Sequence, residues 1–408
     1  MATQAQTIVI LGAGQAGASV ATRLRENGHV GRIVLIGDET DPPYQRPPLS
    51  KKYMTGEMEC ERLYLKPAEA YAAIGVELIT GCRALAIDRV TQQVELTGHE
   101  VPLGYDQLVL TTGARPRALP EALVNGFDNI LCFREMADAN RLRALMAPGR
   151  RMLVLGGGYI GLETAAVARG QGLDVTIAEQ GERILGRVAC AETADHFRNL
   201  HQGNGVRILE NTRLERFEGK DGVAERAIFA DGRAIDIDLV VVGIGILPNQ
   251  DLADAAGIDC DQGILVDEMC RTSDPRIHAA GDCARFPFQG QPTRLESVQN
   301  AIAQAEHLAD SLTGRCVQGY APVPWFWSDQ YQCKLQIAGL SRGYTHIVQR
   351  SGGRPGAVSI WYFDDSGLIA VDAINDARAF MLAKRWLEQP RRPAQEMLGD
   401  PLWDPKTF

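Results

Sequence analysis

The sequence has little that would make it a metal, membrane or nucleic-acid protein. No two of its nine cysteines are spaced as a C-x-x-C pair, which removes a paired-thiol metal or redox motif and suits reduced, mostly buried thiols in a cytoplasmic protein. No metal site is expected. No apolar run reaches the roughly 20 residues that cross a bilayer, and a strand pattern begins by Thr7, leaving no room for a signal peptide. Basic residues are in deficit, 42 against 51 acidic, for a formal charge of −9. That balance argues against a nucleic-acid partner, though not against a local basic patch.

What the sequence does have is glycine, 42 residues in 408. The length calls for two or three domains. The apolar run Thr7 to Leu11 leads into Gly12-Ala13-Gly14-Gln15-Ala16-Gly17, and a helical pattern, Ala18 to Asn27, leads out. Between a strand and a helix, Gly12 makes the tight turn, Gly14 lets a pyrophosphate approach the backbone, and Gly17 lets helix and strand pack closely. The helix N-terminus then offers free N–H groups to the phosphates. A second strand, Ile33 to Ile36, ends at Gly37-Asp38. There Asp38, with Glu39 beside it, can bind the hydroxyls of an adenosine ribose.

The arrangement returns at Gly156-Gly157-Gly158-Tyr159-Ile160-Gly161, followed by a helix to about Gly170 and a strand ending at Glu179. Later segments repeat as well. Gly205 to Leu209 echoes Gly75 to Ile79, read as the start of a β-meander, and Asp238 to Gly245 echoes Asp106 to Gly113. Two related nucleotide-binding units are therefore expected, with a linker after Arg117. The segment Arg276 to Asp282 and a helix over Val298 to Leu312 are too little for a domain and should return to complete the first sheet. From about Pro324, aromatic strand-like segments and a helix over Ala377 to Leu387 read as a small α+β domain. The expected fold is α/β, with two Rossmann-like dinucleotide-binding domains, at 1–115 plus 249–323 and at 116–248, and a C-terminal α+β domain at 324–408.

Between the first two nucleotide strands and the meander lies Pro42-Pro43-Tyr44-Gln45-Arg46-Pro47-Pro48-Leu49-Ser50-Lys51. Its four prolines prevent a regular helix and fix a stiff path. Ser50 is expected to cap a helix starting at Lys51. Arg46 and Lys51 are either positioned cations or solvated charges.

These motifs, with Thr111-Thr112-Gly113, Gly281-Asp282-Cys283-Ala284-Arg285, Glu296-Ser297-Val298-Gln299-Asn300 and Trp325-Phe326-Trp327-Ser328-Asp329-Gln330, occur in an order that resembles the FAD-dependent ferredoxin reductases of bacterial oxygenase systems, of glutathione-reductase-type fold. The resemblance spans essentially the whole chain. It implies FAD on the first unit, bound by Gly12, Gly14, Gly17, Asp38, Arg46, Lys51, Thr112, Gly113, Asp282, Val298, Gln299 and Trp327. It implies NADH on the second, bound by Gly156, Gly158, Tyr159, Ile160, Gly161, Glu163, Glu179 and Gly245. Lys51 would stabilise negative charge on the reduced flavin, and Glu163 would hold the nicotinamide carboxamide, paired with Lys51. Trp325 and Trp327 are taken to point to opposite faces of their strand, with Trp327 at the flavin. Glu179 should repel the extra phosphate of NADPH, whereas Arg183 or Arg187 could accommodate it.

The implied activity is hydride transfer from NADH to FAD, then single-electron transfer to a [2Fe-2S] ferredoxin serving a monooxygenase or ring-hydroxylating dioxygenase. Lys66, Arg294 and Lys334 are candidate docking residues, and a monomer or weak dimer is expected. A disulfide reductase, a peroxidase or a coenzyme A-disulfide reductase would need cysteine in the loop that holds Tyr44, Gln45 and Arg46, and there is none. A rubredoxin reductase and an apoptosis-inducing-factor-like binding flavoprotein remain as alternatives.

Overall fold

The computed structural model describes residues 5–124 and 126–408. The chain divides into two compact units. One comprises the described part of Met1–Gln45 with Glu59–Arg115 and Ile246–Pro322; the other comprises Arg46–Met58, Pro116–Gly245 and Val323–Phe408.

The first unit is built on a five-stranded parallel sheet in the order Ile277–Ala279, Gln107–Leu110, Ile8–Leu11, Ile33–Ile36, Val76–Ile79. Ile8–Leu11 and Ile33–Ile36 are buried at every position, so the centre of this parallel sheet has no solvated side. The returning segment completes this sheet as expected: Ile277–Ala279 pairs with Gln107–Leu110. The helix Val298–Leu312 joins helix Gln15–Glu26 in one core, where Ala305 and Leu308 meet Val20 and Leu24. The segment Gly75–Ile79 does not open the meander. Val76–Ile79 is the edge strand of the parallel sheet, and the antiparallel meander is Ala84–Asp88, Gln93–Leu96 and Leu103–Gly104. Four residues carry too little pattern to separate a parallel edge strand from a hairpin strand.

The second unit repeats this plan with a parallel sheet in the order Arg207–Leu209, Asp174–Ala178, Arg151–Leu155, Leu239–Val242, Ile130–Cys132. Its meander is Leu214–Lys220, Val223–Phe229 and Ala234–Asp236. The stretch read as a linker supplies the strand Ile130–Cys132 and the helix Met136–Leu145. That strand stands beside Leu239–Val242 as Ile277–Ala279 stands beside Gln107–Leu110. The closing strand thus precedes its sheet in one unit and follows it in the other.

Residues 323–408 add a five-stranded antiparallel sheet, ordered Trp325–Gln330, Cys333–Gly339, Gly367–Ile374, Val358–Asp364, His346–Ser351. It is covered by helix Ala377–Leu387, which Asp376 caps by accepting from the Ala379 N–H at 3.1 Å. Trp361 and Trp386 are fully buried at its centre, ring centroids 5.5 Å apart. No helix among the described residues is long and apolar enough to cross a membrane.

Candidate active site

Both glycine turns are closed by backbone contacts and leave one position open. Gly12 lies at φ +112°, and a Cβ there would sit 2.2 Å from the Thr111 carbonyl oxygen; one on Gly17 would sit 2.1 Å from the Gly12 carbonyl oxygen. At Gly14 a Cβ would meet no atom within 4 Å. The second turn repeats this. Gly156 has φ +103° and its Cβ would be 2.4 Å from the Gly243 carbonyl oxygen, Gly161's would be 2.2 Å from that of Gly156, and Gly158's would meet nothing within 4 Å. In each turn, therefore, the outer glycines are demanded by the fold and the middle one by nothing in the protein itself. Neither helix Gln15–Glu26 nor helix Tyr159–Gly170 has a side-chain N-cap, so their first N–H groups remain available to an anion.

Of the other residues expected at FAD, the first unit holds Asp38, Thr112, Gly113, Asp282, Val298 and Gln299, whereas Arg46, Lys51 and Trp327 belong to the second. Asp38 is exposed beyond the end of strand Ile33–Ile36, and Glu39 beside it accepts from the Tyr44 hydroxyl. The Thr112 hydroxyl donates to the Asn249 carbonyl at 2.6 Å, and Asn249 returns bonds to the carbonyls of Thr112 and Gly113 at 2.8 and 2.9 Å. This latch fixes the small-residue strand end. Asp282 follows strand Ile277–Ala279, and its carbonyl accepts from Arg294 at 3.4 Å. Val298 and Gln299 form the first turn of a helix capped by Ser297, which accepts from the Asn300 N–H at 3.1 Å. Gln299 Oε1 is buried with no partner among the described residues. An unpaired buried acceptor beside free helical N–H groups is what a missing polar ligand leaves behind, and it fits the donors of a flavin ring. Of the docking candidates, Arg294 is a poor one. It is largely covered, pairs with Glu296 at 2.5 Å and bonds the Gln262 carbonyl. Lys66 is half-buried and Lys334 exposed.

The second unit gathers the residues expected at nicotinamide. Glu163 lies in helix Tyr159–Gly170 and is only 3% exposed. Its Oε2 accepts from Lys51 Nζ at 2.6 Å and Ser50 Oγ at 2.8 Å, and its Oε1 accepts from Ser328 Oγ at 2.7 Å. Ser50 does not cap a helix. It ends a short 3₁₀ turn, Pro47–Ser50, and Lys51 lies at φ −134°. The prolines preset that turn and the rigid loop carries Ser50 and Lys51 to the carboxylate together. Arg46 donates to the Arg134 carbonyl at 3.1 Å.

Glu179 follows strand Asp174–Ala178 and accepts from the N–H groups of Gly157 and Gly181 at 2.7 and 2.6 Å, so its carboxylate is held at the turn. Arg183 is turned inward to the carbonyls of Ala189 and Cys190 at 2.9 and 3.2 Å. Arg187 lies 3.6 Å from the point where a Cβ on Gly245 would be, and Gly245 itself has φ +112°. Ile160 is 47% exposed at the helix start. The Tyr159 ring packs 4.9 Å from Phe326, with its hydroxyl buried and without a partner among the described residues; burial drives that phenol's pKa well up.

Trp325 and Trp327 do not point to opposite faces. Residues two apart on a strand share a face, and the two rings are 6.1 Å apart. Trp325 packs on Phe380 at 5.8 Å under the Lys384 ammonium. The alternate face of the strand carries Phe326, Ser328 and Gln330, and these reach Tyr159, Glu163 and His201. Sequence reasoning missed the roles of Ser50, Ser328 and Asn249. The one available signal was two polar residues, Ser328 and Gln330, at alternate positions of an aromatic strand.

All nine cysteines are unpaired, and no metal-binding cluster occurs among the described residues.

Comparison with known proteins gives a consistent setting. Residues 6–305 match the pyridine nucleotide-disulphide oxidoreductase family, and residues 325–408 match the reductase C-terminal family. The chain is 42% identical to rhodocoxin reductase of Rhodococcus erythropolis over 95% of its length and 91% of that protein's. It is 41% identical to putidaredoxin reductase of Pseudomonas putida over 96% and 94%. Among solved structures it resembles the covalent putidaredoxin reductase–putidaredoxin complex, with a TM-score of 0.94 and 39% identity over 98% of this chain and 97% of that one.

Proposed function

Because the chain belongs to the pyridine nucleotide-disulphide oxidoreductase family and carries the reductase C-terminal domain, we propose that it is an NADH-dependent flavoprotein ferredoxin reductase, whose [2Fe-2S] partner supplies an oxygenase. FAD, when bound, accepts a hydride from NADH and releases its electrons singly. We assign FAD to residues 1–115 and 249–323 and NADH to residues 116–248, with Gly12, Gly14 and Gly17 at one pyrophosphate and Gly156, Gly158 and Gly161 at the other.

The chain's own residues then act by position and charge. Lys51 is a fixed cation for the negative charge that develops on reduction, and Glu163 holds both Lys51 and the nicotinamide carboxamide. Val298 and Gln299 offer helix N-terminal N–H groups to the flavin's pyrimidine edge. Arg46 binds along the pyrophosphate or flavin edge. Asp282 accepts from ribitol hydroxyls, and Asp38 and Glu179 accept from the two adenosine riboses. Trp327 remains the candidate at the flavin edge. Glu179, locked at its turn, favours NADH, because Arg183 is committed to backbone carbonyls. Lys66 and Lys334 remain as docking cations. Nine unpaired cysteines suit a reducing compartment, so we place the protein in the cytoplasm.

The observation that carries this reading is the Lys51–Glu163 pair, together with the absence of cysteine from the loop that bears Lys51. The test is cytochrome c reduction by NADH, with and without purified [2Fe-2S] ferredoxins and a rubredoxin. Stimulation by a ferredoxin supports the assignment; stimulation by rubredoxin alone moves it to a rubredoxin reductase.

A further inference from the structure

Glu163 sits at the end of a hydrogen-bond chain that runs away from the proposed cofactor site, and each link dictates the next. A carboxylate only accepts, so Ser328 spends its one hydroxyl proton on Glu163 Oε1, at 2.7 Å. The Ser328 oxygen is then left to accept, and Gln330 Nε2 donates to it at 3.2 Å. That turns Gln330 Oε1 toward His201 Nε2, 2.8 Å away, which must carry the imidazole proton. His201 Nδ1 is left as an acceptor for the Tyr331 hydroxyl, at 3.4 Å. Ser328, Gln330 and His201 are each fully enclosed, and burial pushes the His201 pKa down, which keeps the single-proton tautomer that the chain requires. Every donor points toward Glu163. Two domains contribute: His201 from helix Ala191–Gly203, and Ser328 and Gln330 from strand Trp325–Gln330.

We propose that Ser328, Gln330 and His201 are positioning residues for the Glu163–Lys51 pair, holding the carboxylate in the rotamer that presents it to the nicotinamide. This rests on the reading of Glu163 and Lys51 given above. With Oε1 tethered to the C-terminal sheet and Oε2 shared by Ser50 and Lys51, the carboxylate has no freedom to turn. Loss of the Oε1 tether leaves a buried acceptor unsatisfied, and the group reorients to recover a donor. A catalytic group displaced by about 1 Å can lose on the order of 100-fold in rate.

The test uses FAD-loaded protein carrying Ser328→Ala, His201→Leu, His201→Gln or Glu163→Gln. Three quantities are read: the NAD⁺ dissociation constant by equilibrium titration, and the KM and kcat for NADH oxidation. Ser328→Ala is expected to weaken NAD⁺ about tenfold and lower kcat by about 10- to 100-fold. His201→Leu should move both in the same direction by about three- to tenfold. His201→Gln, whose amide can replace the Nε2–H donor, should restore both to within about twofold. Unchanged NAD⁺ affinity and kcat in Ser328→Ala overturn the inference, and so does a His201→Leu loss that His201→Gln fails to rescue. Should His201→Leu not fold, Ser328→Ala decides alone. If Glu163→Gln also has no effect, the reading of Glu163 itself is wrong; if Glu163→Gln is impaired while Ser328→Ala is normal, only the positioning chain fails.

Discussion

Replacing Gly158 with alanine separates what the fold needs from what a dinucleotide needs. Gly158 lies at φ −80° and ψ 177° as the N-cap of its helix, a conformation any residue adopts. A Cβ there would meet no atom within 4 Å. Nothing in the protein resists the methyl group, and alanine restricts the unfolded chain more than glycine does, so stability should stay within about 1 kcal/mol of wild type. The proposed ligand is another matter. If a pyrophosphate comes against this backbone, the methyl group overpacks the contact at about 1–3 kcal/mol, which is roughly a 5- to 150-fold loss of NADH affinity. Gly156→Ala is the contrasting control. It puts a Cβ 2.4 Å from the Gly243 carbonyl oxygen at φ +103° and should fail through instability. The assay is NADH titration of the FAD-loaded variant, with denaturant unfolding beside it. Gly158→Ala with normal stability and undiminished NADH affinity would refute the placement of the pyrophosphate.

Three other outcomes are expected. Gly14→Ala, equally free of contacts in the protein, should fold normally but purify with less than one FAD per chain, measured by flavin absorbance after denaturation. Glu179→Gln keeps an acceptor for only one of the Gly157 and Gly181 N–H groups, which two different carboxylate oxygens hold, while removing the charge, and should narrow the NADH-over-NADPH ratio of kcat/KM about tenfold, or ~1.4 kcal/mol. Asp372 is 1% exposed, and burial raises its carboxyl pKa to about 6 against the hydrogen bonds from Tyr362 and Thr193. A pKa raised on folding gives stability that is full below the unfolded value and lost as pH rises through the folded one. The wild type should therefore lose on the order of 1 kcal/mol relative to Asp372→Asn between about pH 5 and pH 7.5, read from denaturant unfolding; a pH-independent difference would contradict the buried carboxylate's role.

The glycine turns were legible in the sequence because their function is local. Gly12 and Gly17 meet carbonyl oxygens within the same turn or on the neighbouring strand end, and the pattern of two outer glycines and one open one is written in six residues. The repeat was legible because both copies keep the same strand order. The strand Ile130–Cys132 and helix Met136–Leu145 were not, because three residues show no period and the copy is permuted: its counterpart in the first unit comes after the sheet, not before it. The tryptophan error had a simple origin, since strand alternation puts residues one apart, not two apart, on opposite faces. What hid the surroundings of Glu163 was distance along the chain. Ser50 and Ser328 lie 113 and 165 residues away, and only folding brings them to the carboxylate.

Electrons enter from NADH and leave singly to an iron–sulfur protein. The most direct measurement of this route is an anaerobic rapid-mixing experiment, in which the FAD-loaded protein is mixed with NADH and then with an oxidised [2Fe-2S] ferredoxin. NADH should bleach the flavin band, and a cognate ferredoxin should restore it while its own iron–sulfur absorbance falls. A long-lived charge-transfer complex with NADH that no iron–sulfur carrier discharges would contradict this route and favour a redox-dependent binding flavoprotein.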